Sequence, residues 1–266
     1  MAQHLTATDA IHEVLNAVTG LPVYIAGSSV AAIKHPLTVT ELDYGDVDIF
    51  CASQTSMIAA ATRLQAHGFE IHERHKRVWQ RWMAHGFNKW HTNSLKLTRG
   101  ELEVNIIYKL VNNVPTTTLS SVLETFDFGL LAVGIDARDG IIRDMRSYFF
   151  PQVQDVTGPL PMLPVRREAW RAGFISQYQG LREVGRYVKY SDYGYDLSLV
   201  KDDLLTGYRA VAEYLFDRGD ADKVQLSNIY STIADDIELN DLDKLREVSQ
   251  EIMYLDDLDI IMERLE

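Results

Sequence analysis

The sequence predicts an α+β protein, with a mixed β-sheet and its helices in the N-terminal part followed by an all-helical C-terminal region. Three observations carry this. Short β-branched or alternating segments, VYIA at 23–26, DVDIF at 46–50, and SLKLT and ELEVNIIY around Arg99-Gly100, interleave with helix-period segments. A stretch holding Pro151, Pro159, Pro161 and Pro164 then interrupts any regular pattern. Beyond Arg166 the apolar residues recur at i, i+3, i+4 spacing alone. The expected division is a core over 1–150, a Pro-rich linker over 151–165 and a helical domain with an acidic tail over 166–266.

The first helix is expected over 7–18, where Ile11, Val14, Leu15 and Val18 share a face behind Thr8 or Asp9 as N-cap. Gly20, Leu21 and Pro22 end it. VYIA then reads as a buried strand that stops at Gly27, and Ser28-Ser29 opens a second helix. In Asp46-Val47-Asp48-Ile49-Phe50 the period of two puts both carboxylates on one face and the apolar residues on the other. SMIAAATRLQAHGF (56–69) is an Ala-rich helix closed at Gly68. Two alternating arms around Arg99-Gly100 make a β-hairpin, whose second arm places Glu101, Glu103 and Asn105 on one face. TLSSVLETF (118–126) is a short helix, residues 128–135 a strand, and GIIRDM a candidate to pair with it. Tyr187, Tyr190, Tyr193 and Tyr195 are read as helix packing.

Charge narrows the function classes once it is resolved along the chain. The 266 residues carry 26 basic and 38 acidic side chains, net −12, which opposes a polyanionic partner if it is spread evenly. It is not. Residues 191–266 hold 20 acidic and 7 basic residues, net −13, and leave the first 190 at +1. Within that part, residues 72–99 hold seven Lys/Arg, four His and one Glu. This basic stretch is either a solvated face with Trp79, Trp82 and Trp90 packed inward, or a wall for a triphosphate or RNA. The single Cys51 excludes an intramolecular disulfide and multi-cysteine metal sites. The histidines lack a clean i, i+4 pair, so no zinc is expected. Neither a secretory leader nor a membrane span is evident, and a cytoplasmic location is expected.

Two pieces carry chemistry. Gly27-Ser28-Ser29 between a strand and a helix offers backbone N–H groups, hydroxyls and the positive helix end, which suit phosphate. Asp46 and Asp48, on one face of the next strand, suit a hard divalent cation that completes its shell with water and substrate phosphates.

Strand, Gly-Ser, helix, then Asp-x-Asp amid apolar residues resembles the nucleotidyltransferase superfamily of DNA polymerase β type, from about Pro22 to Val133. The resemblance implies that Gly27, Ser28 and Ser29 bind the nucleotide and that Asp46 and Asp48 bind Mg²⁺ or Mn²⁺. It further implies a third carboxylate on a later strand and transfer of a nucleoside monophosphate from an NTP to a hydroxyl, with release of pyrophosphate. The third position aligns with Asn105, a departure from the family pattern, and Glu103 on the same face is the candidate substitute for both metal binding and catalysis. The acceptor is RNA, a protein or a small molecule. A non-catalytic protein that keeps the fold for binding or assembly is the alternative, with the acidic helical tail as its partner surface. Asp127 is read as a strand-start cap or a further carboxylate near the metal. Phe126-Asp127-Phe128 and Arg186…Lys189-Tyr190 are also similar to uncharacterised nucleotidyltransferase-like proteins of bacteriophages.

Overall fold

Thr6 starts the first helix, two residues ahead of the earliest expected cap. Its hydroxyl accepts from the Asp9 N–H while Asp9 returns a bond to the Thr6 backbone, a reciprocal capping box that fixes α1 (Ala7–Val18). The computed structural model describes residues 6–34, 46–86, 92–171, 177–217 and 221–250. After α1 come β1 (Val23–Ala26), α2 (Ser28–Lys34), β2 (Val47–Cys51), α3 (Gln54–Ala66), β3 (Glu70–Ile71), α4 (Glu73–His85), β4 (Asn93–Arg99) and β5 (Leu102–Tyr108). The short pair β6 (Leu110–Val111) and β7 (Val114–Pro115), then α5 (Leu119–Leu123), β8 (Val133–Asp136), β9 (Ile141–Asp144) and α6 (Arg146–Phe149) complete this part. The helices α7 (Pro164–Arg171), α8 (Gln177–Asp192), α9 (Ser198–Phe216) and α10 (Ala221–Leu239) follow, and residues 242–250 are also helical. The protein is therefore α+β, a mixed sheet followed by a helical region.

The sheet has seven strands in the order β3-β4-β5-β2-β1-β8-β9. Every neighbouring pair is antiparallel except β2 and β5, which run parallel. The expected hairpin is β4–β5, and Gly100 (φ +60°) supplies the left-handed residue of its turn. One sheet face buries Val47, Ile49, Leu95, Leu97, Val104 and Ile106, with Ala10, Ile11, Val14, Met57, Ala60 and Leu64 of α1 and α3 also in the core. Each such aliphatic side chain larger than Ala contributes roughly 1.5–3 kcal/mol by leaving water.

On the opposite face, Tyr24, Ala26 and Phe50 form a second core with Leu119, Val122 and Leu123 of α5. Gly134, opposite Ala26 in the ladder, makes room for it, since a Cβ there would stand 2.6 Å from the Leu119 side chain. That face is only partly covered by apolar side chains, because Asp48 lies opposite Ala26 and Asn105 opposite Asp48. The polar residues of β2 and β5 thus share a face with an apolar cluster.

The chain divides into two compact units, Met1–Phe126 with Leu130–Gln154, and Asp127–Gly129 with Asp155–Glu266. The strand expected over 128–135 begins only at Val133. Its first residues go elsewhere: Phe128 bridges Met162, Gly129 N–H donates to the Pro161 carbonyl, and Gly129–Leu131 forms a 3-10 turn. In the helical unit Trp170 packs edge-on to Tyr208 at 4.8 Å, and Tyr208 on Tyr230 at 5.6 Å. Tyr190 stacks edge-on with Phe128, Tyr193 and Tyr195, so these tyrosines pack together. Among the described residues no helix is long and apolar enough to cross a membrane.

Candidate functional site

Three elements build the site. β1 ends at Ala26, and Gly27 turns the chain with φ +104°, a left-handed value that Gly adopts without a Cβ penalty. The Gly27 carbonyl then accepts from the Ala31 N–H, and α2 begins at Ser28. A Cβ on Gly27 would lie 3.0 Å from Asp48 Oδ2, so the turn passes directly against that carboxylate. Ser28 is nearly buried and Ser29 completely so, and among the described residues the Ser29 hydroxyl has no hydrogen-bond partner.

Asp46 immediately precedes β2 and Asp48 is its second residue, both half-buried. The period of two brings them to one side, and β5 supplies the group between them. The Asn105 side-chain amide donates to Asp46 Oδ2 and, at 3.0 Å, to Asp48 Oδ1. Two carboxylates are thereby gathered on one neutral donor. Their oxygens and their negative charge are what a hard divalent cation takes, so the donor set fits one such ion. Among the described residues no group of three or more His, Cys, Asp or Glu is placed to hold a metal.

Glu103, the other candidate on this strand face, is paired with Lys96 at 2.7 Å and its side chain is 38% exposed. Lys96 stands opposite Asn105 in the hairpin, and sequence reasoning did not single it out. The signal was present: a turn at Arg99-Gly100 that pairs Arg99 with Leu102 fixes Lys96 against Asn105 three steps later. Asp127, considered as a cap or a further carboxylate, belongs to the helical unit, where it pairs with Arg166 (2.8 Å) and Arg186. Cys51 is buried, and burial pushes its thiol up, away from thiolate chemistry.

The basic stretch 72–99 is largely α4 and β4. His72 caps α4, accepting from the Arg74 N–H. Trp82 is buried and Trp79 half-buried. Trp90, His91 and the His85 side chain lie outside the described residues.

No protein-family model matches the chain, and no curated protein matches it. Among solved structures, a tRNA nucleotidyltransferase complexed with a primer tRNA and an incoming ATP analogue is similar at a TM-score of 0.35 and 15% identity, over 98% of this chain and 86% of that one. Likeness at this level leaves the site to be judged on its own residues.

Proposed function

We propose that the protein is a divalent-metal-dependent nucleotidyltransferase that moves a nucleoside monophosphate from an NTP to a hydroxyl acceptor. The observation that carries this reading is the convergence of the Gly27 turn, Asp46 and Asp48 at one point: the turn lies against Asp48, and Asn105 ties both carboxylates together. A strand-to-helix turn bearing Ser28 and Ser29 beside two acidic side chains suits a triphosphate and its cation.

In this reading Asp46 and Asp48 hold Mg²⁺ or Mn²⁺, and the ion, when bound, screens the triphosphate charge and polarises the attacked phosphoryl group. Gly27, lacking a side chain, lets phosphate approach the backbone. Ser28 and Ser29 supply hydroxyls at the same turn. The third position falls to the Asn105 amide, with Glu103 retained by Lys96 unless it exchanges that partner for the cation. Asp46→Ala with Asp48→Ala abolishes transfer of label from NTP to acceptor while the fold persists. Equal labelling by wild type and the double variant rejects the reading.

Asn105 also supports a second reading. A neutral amide that donates to both carboxylates stabilises the site without metal, as a non-catalytic binding or assembly module requires. Calorimetry separates the two. Metal-dependent NTP binding lost in both aspartate variants supports the transferase, and absence of NTP binding supports the module, with the acidic tail as its protein-facing surface.

A further inference from the structure

Among the described residues most arginines are neutralised by carboxylates: Arg99, Arg138, Arg143, Arg146, Arg167 and Arg209 each hold an acidic partner. α4 is different. Arg74, Arg77 and Arg81 are exposed, and among the described residues no carboxylate is paired with any of their guanidinium groups. The single acidic residue of α4, Glu73, is bound to Lys76 at 2.5 Å. Spacings of three and four residues set the arginines along one flank of the helix, beside the line on which Trp82 is buried. At a rise of about 1.5 Å per residue the row extends roughly 10 Å.

We propose that this row is a docking tract for the phosphodiester backbone of a single-stranded polynucleotide. Three unpaired guanidiniums in a line make a linear cationic array, and a polynucleotide is a linear anionic one whose phosphates accept the guanidinium fork in pairs. The acidic residues 191–266, net −13, repel such a polymer, whereas the first 190, at +1, do not, and within them residues 72–99 hold seven Lys/Arg against one Glu. The contact reads charge and not sequence, because nothing in the row is set to read base edges. Naming the strand as the acceptor rests on the transferase reading. The docking itself does not.

The test is fluorescence anisotropy of the full chain with labelled rU20 and dT20 over a KCl series, for wild type, Arg74→Ala/Arg77→Ala/Arg81→Ala and the matching triple Lys variant. Circular dichroism checks that all three are folded. Neutralising three phosphates on a single strand contributes a slope of about −2 in log K against log[salt], so the Ala variant loses about that much slope and the Lys variant keeps it. Binding of rU20 alone identifies RNA as the source of the phosphates, and equal binding of dT20 identifies the backbone shared by both. Absence of binding, or the same slope in wild type and the Ala variant, overturns the proposal. So does a poly-Glu peptide that binds as tightly with the same dependence on the arginines, since that marks an acidic protein as the partner. Asp46→Ala/Asp48→Ala keeps oligonucleotide binding, and the triple Ala variant keeps NTP binding with Mn²⁺, so failure of this proposal and failure of the transferase reading give different results.

Discussion

Asn105 stands directly opposite Asp48 in the parallel β2–β5 ladder, and its side-chain amide donates to that carboxylate at 3.0 Å while also bonding Asp46. A neutral residue therefore occupies the point where the two acidic side chains meet. The balance between a metal site and a self-satisfied polar cluster turns on this one side chain.

Asn105→Asp replaces the donor with a third carboxylate. Three like charges at one point destabilise the metal-free protein and tighten cation binding, on the order of tenfold for the added ligand charge. The expected outcome is a lower melting temperature without metal, recovered by Mn²⁺, together with tighter Mn²⁺ binding in calorimetry. An unchanged Mn²⁺ affinity places the cation elsewhere.

Gly27→Ala is expected to destabilise the protein by about 1–3 kcal/mol, because Ala is strained at φ +104° and its Cβ would stand 3.0 Å from Asp48 Oδ2. Urea unfolding measures this. NTP binding should fall further than stability does, since Asp48 and the backbone of the turn are displaced together.

Glu103→Gln should change stability by less than about 1 kcal/mol, as the pair with Lys96 is partly exposed on both sides. Nucleotidyl transfer should fall far less than in the aspartate variants. A loss as complete as theirs would show that Glu103 leaves Lys96 to serve as the third ligand.

Glu183 governs a pH response in the helical unit. It is buried, its Oε1 accepts from Arg166 at 2.7 Å and from Arg186 at 3.2 Å, and Asp127 and Tyr208 also face it. Burial first, and the Asp127 charge second, push its carboxyl from the ordinary 4.5 up to about 8. Between those values the folded protein holds a proton that the unfolded chain releases. Its contribution to stability is therefore complete below pH 4.5, declines as pH rises and is lost through about 8. Urea midpoints at pH 5.5 and 8.5 should differ more in wild type than in Glu183→Gln, and equal differences would reject this assignment.

Local pattern made much of the fold legible. The alternation of β5 put Asn105 and Glu103 on the correct face, Gly100 marked the hairpin, and Gly27 marked the end of β1. What escaped was long-range. Asp127 looked like a local cap because its partners Arg166 and Arg186 lie far along the chain, where no periodicity announces an ion pair. Residues 128–132 read as strand because their composition suits one, yet Phe128 is claimed by Met162. At the site, strand period sufficed to bring Asp46 and Asp48 together, while the partner of Glu103 depended on the cross-strand position of Lys96.

The excursion of Asp127–Gly129 into the helical unit has a practical consequence. A fragment beginning at Asp155 would keep Glu183 between Arg166 and Arg186 but lose Asp127, their second shared carboxylate, and would carry Met162 without its backbone bridge. No single cut in this chain frees the helical unit from the sheet residues, because a cut ahead of Asp127 carries β8 and β9 with it. Any separately expressed version must recover three residues made before β8, by circular permutation or by adding the Asp127–Gly129 segment in trans.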